Sequence, residues 1–220
     1  NFILGFGKID GQDVIVGGED FTVKGGSPNA AGLRKSVYTE DLAVKHKFPL
    51  VRLHEGGGGS VAGPSKEKKG YGGDPVFARS RFKSVAQTLK EVPVVSAALG
   101  PVAGLPASRF VGSHFRIMVK DNAQILVAGP AVVSRAFGTD FTKEELGGSD
   151  VHKKNGVTDN IAESEEDAFN QIKKFLSFFP ANIYELPPHK ESKDEIDRSE
   201  KLLEEIIPKD RKKTYEMREI

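Results

Sequence analysis

Val92-Pro93-Val94-Val95-Ser96-Ala97-Ala98-Leu99-Gly100-Pro101-Val102-Ala103-Gly104-Leu105-Pro106-Ala107 decides how this chain is read. Val92 to Leu99 is β-branched and apolar, the composition of a strand buried on both faces. Gly100 to Ala107 interrupts that run with glycines and prolines. It reads as a loop that delivers the chain into a short helix through Ser108 to Gly112, with Pro106 at the first helical position. At such a junction the free N–H groups carry partial positive charge, which suits a developing oxyanion. Gly104 and Leu105 can donate there, whereas Pro106 has no N–H. An ordinary strand-to-helix turn has the same spelling, so the loop alone assigns no function.

Working outward, strands and helices alternate. Phe2 to Ile9 and Val14 to Gly17 flank Asp10-Gly11-Gln12-Asp13 and predict a hairpin. Leu33, Val37 and Val44 mark one side of a helix from about Asn29 to Lys47, and Pro49 to Leu53 follows as a short buried strand. Asp74 and Pro75 start a second helix whose apolar face is Ala78, Phe82, Val85 and Leu89 and which ends near Glu91. Phe115 to Val119 and Gln124 to Ala128 are further strands, and Pro130 to Phe137 is a short helix. Thr142 and Glu145 have capping-box spacing, with Gly147-Gly148 closing the turn on residues that tolerate positive φ. Ser164 through Phe179 gives a strong helix signal and Pro180 stops it. The alternation predicts a partly parallel sheet covered by helices.

Composition bounds the function. In 220 residues, 32 basic and 31 acidic side chains leave a net charge of +1, with no sustained basic block, so a nucleic-acid footprint is not expected. Cysteine is absent, which excludes disulfides, thiolate metal sites and a cysteine nucleophile. The longest apolar runs are too short to cross a bilayer, and we expect an intracellular protein, cytoplasmic or in a mitochondrial matrix. Asn1 opens in an apolar stretch without an initiator methionine, so residues upstream of it are expected. Beyond Leu186-Pro187-Pro188 a charged stretch reads as a linker or peripheral helix, giving a division into residues 1–188 and 189–220.

Among the side chains, His54 beside Glu55 invites an acid–base reading, but both fit a structural role at a strand end. His114 and His152 lack ligand spacing, and no metal is assigned. Lys66, Lys68 and Lys69 can be drawn as a phosphate clamp or as a solvated surface run. Gly56-Gly57-Gly58-Gly59-Ser60 has the spelling of a flexible linker, yet it follows a buried strand, where glycine also serves close backbone approach.

Asp20 to Ser27, Pro49 to Gly59, Gly100 to Ala107, Val127 to Pro130, Glu145 to Gly148 and Asn155 to Ala168 occur in the order and spacing of carboxyltransferase subunits of biotin-dependent acyl-CoA carboxylases. This chain resembles the amino-terminal half of such a subunit. The resemblance implies a crotonase-like α/β fold of repeated ββα units and the first of two such domains. It implies backbone donors at Gly104 and Leu105 for the thioester enolate, and substrate contacts at Gly25, Gly26, Gly57, Gly58, Gly129 and Pro130. Donors for the ureido oxygen of biotin would come from the other domain. After carboxybiotin loses its carboxyl group, its ureido nitrogen would take the α-proton, so no side-chain base is required. The implied cofactor is biotin on a carrier protein or domain, with a coenzyme A thioester as substrate. The implied partners are a biotin carboxylase component, the biotin carboxyl carrier and further copies of the chain, assembled through dimers. The decarboxylase direction, or a half-subunit serving assembly, share these motifs. The chain departs from the family's Gly-Gly-Ala at Leu105 and Pro106, so the bulk of Leu105 bears on the size of the acyl pocket.

Overall fold

A computed structural model describes residues 1–58 and 81–220; the expected helix start at Asp74, Pro75 and Ala78 and the Lys66, Lys68 and Lys69 run lie outside the described residues. Two compact units are present, residues 1–188 and residues 189–220. The second holds a short α-helix, α8 (Lys201–Ile206), none of whose side chains is buried, and a single 3-10 turn at Met217–Glu219.

In the first unit, β1 (Phe2–Ile9) and β2 (Gln12–Glu19) pair antiparallel through a turn in which Asp10 and Gly11 both take positive φ, 48° and 86°. That conformation matches the strand twist of a two-residue hairpin. Helix α1 (Ala30–His46) starts where the Asn29 side chain accepts from the Gly32 N–H and ends at Lys47 in the left-handed region. Its inward stripe differs from the expected one. Ser36, Thr39, Glu40, Leu42 and Ala43 are buried, while Leu33, Val37 and Val44 are half-buried.

β3 (Leu50–Gly56) lies parallel to β2, and β4 (Val94–Ala103) lies parallel to β3. Helix α2 (Arg81–Glu91) lies between β3 and β4 in the chain, but Phe82 is exposed and Ser84, Val85 and Thr88 point inward. Strand β4 corrects the expected loop, because it continues through Gly100 and Pro101 to Ala103. Its register against β3 jumps from His54↔Ala98 to Gly56↔Val102, so Gly100 and Pro101 fall in a bulge where no ladder N–H is demanded of proline.

Helix α3 (Leu105–Val111) therefore begins earlier than expected, with Pro106 second rather than first. β5 (Phe115–Val119) pairs with the first half of β4, and β6 (Gln124–Leu126) with the second half. Since β3 occupies one edge of β4, β5 and β6 share the other. Helices α4 (Pro130–Phe137) and α5 (Lys143–Gly147) follow, α5 carrying the expected Thr142–Glu145 capping box. Gly148 ends α5 at φ −68°, not in the left-handed region. Glycine is needed beside it for room, because a Cβ on Gly147 would run into the Ile125 carbonyl oxygen.

Helix α6 (Ser149–Asn155) and the three-residue strand β7 (Asn160–Ala162), parallel to β5, carry too few residues for a periodic signal. Helix α7 (Glu165–Leu176) is capped by Ser164 and stops before Ser177, so Phe178 and Phe179 lie beyond it. The sheet order is β1-β2-β3-β4-β5-β7, with β6 on β4.

Alternation along the strands builds cores on both faces. Val14, Val51 and Val95 join α3 and α7 side chains such as Phe110 and Ile172, while their neighbours Ile15, Leu50 and Val94 join Leu42, Ala43 and Val92. This places the carboxyl ends of β3, β4 and β6, with the loops that follow them, at one end of the sheet.

Candidate functional site

Glycine loops from separate parts of the chain meet at that end. The N–H of Gly57 donates to the Gly25 carbonyl at 2.8 Å. Gly26 takes φ 69°, and a Cβ there would lie 2.5 Å from the Glu55 carbonyl oxygen. Gly58, at φ 71°, lies so close to the end of β4 that a Cβ would stand 2.5 Å from the Ala103 carbonyl oxygen. The N–H of Gly104 donates to the Leu126 carbonyl at 3.1 Å. Each contact joins one loop to the next, which makes Gly56 to Gly58 a built turn rather than a linker.

Together they wall a groove of about 490 Å³, lined by Gly25, Gly57, Gly58, Gly104, Gly129 and Pro130 among others, with Lys24 and Lys143 also on its lining. Two of the expected site residues stand elsewhere. Gly26 lies under the groove, packed on the end of β3, and Leu105 lines a separate small cavity with Gly26, Pro106 and Arg109. The Leu105 side chain thus belongs to that cavity and not to the lining of the groove. Gly104, expected as a free donor, already has the Leu126 carbonyl as its acceptor. Pro106 has no N–H, so Leu105 and Ala107 carry the backbone donors of this turn that lie between Gly104 and the first helical hydrogen bond, which Ser108 makes to Gly104. Lys24 and Lys143 were missed; nothing in their local spacing marks them, and only the fold brings them together.

His54 is buried, its Nδ1 is 3.1 Å from Glu19 Oε2 and its Nε2 3.3 Å from Ser96 Oγ. Burial works to raise the Glu19 carboxyl, but His54 and Arg109 hold it net below its ordinary value. A Glu55 oxygen fills the space beside Gly100, and burial followed by Glu165 pushes its carboxyl up. His114 accepts the Val94 N–H at 3.0 Å, and burial pushes its imidazole down. His152 Nε2 bonds the Ile125 carbonyl at 2.8 Å and so steadies β6. Beneath the groove, Arg52 Nη2 and Arg109 Nε both donate to Glu40 Oε1, at 3.0 and 2.9 Å. Burial pushes the Arg52 guanidinium down to about 10, still cationic at neutral pH. Among the described residues no three His, Cys, Asp or Glu side chains gather as a metal site, and no helix is long and apolar enough to cross a membrane. A larger apolar groove of about 770 Å³, lined by Leu89, Phe175, Phe179 and Ile183 among others, shares no residue with the glycine groove.

A family model described as the carboxyl transferase domain matches residues 2–220. The chain belongs to that family. The carboxyl transferase chain is 32% identical over 219 residues to a protein named methylmalonyl-CoA decarboxylase subunit alpha of Veillonella parvula, spanning 99% of this chain and 42% of that one. A propionyl-CoA carboxylase beta chain of Roseobacter denitrificans is equally similar, at 32% identity over 99% of this chain and 42% of that one. Among solved structures, transcarboxylase 12S, a hexamer described with methylmalonyl-coenzyme A bound, superposes with a TM-score of 0.74 at 27% identity, covering 99% of this chain and 41% of that one. The beta subunit of a Pseudomonas aeruginosa geranyl-CoA carboxylase shares the fold, with a TM-score of 0.64 at 24% identity over 80% of this chain and 32% of that one. The carboxyl transferase chain thus has the expected crotonase-like fold and spans less than half the length of these relatives. Its ββα grouping is clear in β1-β2-α1 and β5-β6-α4, whereas among the described residues β3 precedes α2 and β4 precedes α3.

Proposed function

We propose that this chain supplies the acyl-CoA side of a biotin-dependent carboxyltransferase site. The observation that carries the reading is the convergence of Gly25, Gly57, Gly58, Gly104 and Gly129 on one groove, with Leu105 next to Gly104 in the chain. There a thioester can lie against bare backbone, its oxygen directed to the Leu105 N–H, where negative charge develops as the α-proton leaves. Lys24 and Lys143 suit the phosphates of coenzyme A, and Leu126, Val127 and Val132 offer apolar surface to the acyl end. Gly26, packed against the Glu55 carbonyl, supports the turn. Carboxybiotin, carried on a partner, supplies the carboxyl group; on this reading the donors for its ureido oxygen lie in a second domain, and no step is assigned to this chain there.

The partners that follow are a biotin carboxyl carrier, a biotin carboxylase component and further copies in a homo-oligomer, in the cytoplasm or a mitochondrial matrix. The decarboxylase direction is supported equally, since the Veillonella and Roseobacter relatives match at the same 32% identity. The test is to give the 220-residue chain a coenzyme A thioester with and without a biotin donor. Binding without carboxyl transfer is expected; transfer by this chain alone contradicts the shared-site reading.

A further inference from the structure

The polar side chains buried beneath α3 form an almost closed circuit. Glu19 meets His54, His54 meets Ser96, and Ser96 Oγ lies 2.7 Å from Ser113 Oγ. Arg52 Nη1 lies 3.3 Å from that Ser113 hydroxyl and 2.9 Å from the Gly112 carbonyl, and Arg52 and Arg109 share Glu40. Glu40 also accepts from the Ser84 hydroxyl. The one step not made is from Arg109 back to Glu19.

At that step sit two orphaned atoms. Arg109 Nη2 and Asn1 Oδ1 are the buried side-chain polar atoms without a hydrogen-bond partner among the described residues. Both residues line the same cavity, together with Glu19, Leu105 and Pro106. Its volume is about 20 Å³, and one water needs about 10–15 Å³ of such space. Chemistry narrows the occupant further. Arg109 Nη2 can only donate, and Arg109 is 5% exposed. Asn1 Oδ1 and the Glu19 carboxylate can only accept, the Asn1 amide nitrogen being turned to the Ser27 carbonyl. A cation would face the guanidinium and an anion the carboxylate. Water donates and accepts, and leaving these groups unpaired costs roughly 1–3 kcal/mol each.

We propose that a single ordered water occupies this cavity, accepting from Arg109 Nη2 and donating to Asn1 Oδ1 and Glu19, and so closes the circuit under the first turn of α3. The site is distinct from the substrate groove and does not depend on the acyl-CoA reading. It is tested in a crystal structure of the chain at a resolution that resolves ordered water, and in solution by nuclear Overhauser transfer from water to the Arg109 guanidinium protons. One density peak within hydrogen-bonding reach of all three groups, with water cross-peaks to Arg109, is the expected result. A dry cavity, or an Arg109 Nη2 bonded directly to Glu19, overturns it.

Discussion

The N–H of Gly104 lies 3.1 Å from the Leu126 carbonyl oxygen, and this bond extends the β4–β6 pairing by one residue into the turn. Gly104 thereby holds the turn against β6, and on the proposed reading the Leu105 N–H is the donor offered to the thioester.

Leu105→Pro should therefore cost turnover about 100- to 1000-fold in the chain assembled with the rest of a transferase site, the usual effect of losing one oxyanion donor. Leu105→Gly keeps the N–H and should stay active. Because the Leu105 side chain lines the cavity with Pro106 and Arg109, acyl-chain preference should not change in Leu105→Gly. Rates compared on variants of matched fold and assembly state check this.

Glycine is required at Gly58 and not at Gly129. Gly58→Ala forces a Cβ into the left-handed region at about 1–2 kcal/mol, and the Ala103 carbonyl must also move. Gly129 has φ −70° and nothing within 4 Å of an added Cβ, so Gly129→Ala should change stability by less than about 0.5 kcal/mol. Urea midpoints give the stability half of the contrast. Titration with an acyl-CoA gives the other, with binding weakened in Gly58→Ala alone.

Much of this fold could be read locally. Asp10-Gly11, the Thr142–Glu145 box and Ser164 each announce an element through residues within four positions of one another. The misreadings came from contacts at long range. Gly100-Pro101 spells a loop, but Gly56 and Gln124, from distant parts of the chain, pair with its neighbourhood and keep it in the sheet. No local signal pairs Glu40 with Arg109, because their partnership spans 69 residues. The same holds in the site, where the glycines were marked by motif, while the pairing that occupies Gly104 depends on where β6 lies.

Glu40→Leu should destabilise the chain by roughly 3–5 kcal/mol, since two buried guanidinium groups lose their shared carboxylate. Glu40→Gln, which keeps an acceptor oxygen, should lose less. Equilibrium unfolding in urea at neutral pH measures both.

Glu19 gives a pH signature. Its folded carboxyl lies below the ordinary 4.5, so its charge contributes stability above that value, and the contribution fades as pH falls through the lowered folded pKa. Wild type should exceed Glu19→Gln in stability at pH 7, and the difference should shrink on acidification below about 4.5. A gap that stays constant into acid contradicts the His54–Glu19 assignment.

The central claim is that the glycine groove takes the coenzyme A thioester. Titrating the isotopically labelled chain with a short acyl-CoA, and following backbone amide resonances, tests it most directly. The account predicts shifts centred on Gly25, Gly58, Gly104 and Ala131, which line the groove. Shifts confined to Phe175, Phe179 and Ile183 would place the ligand in the other groove and contradict the assignment.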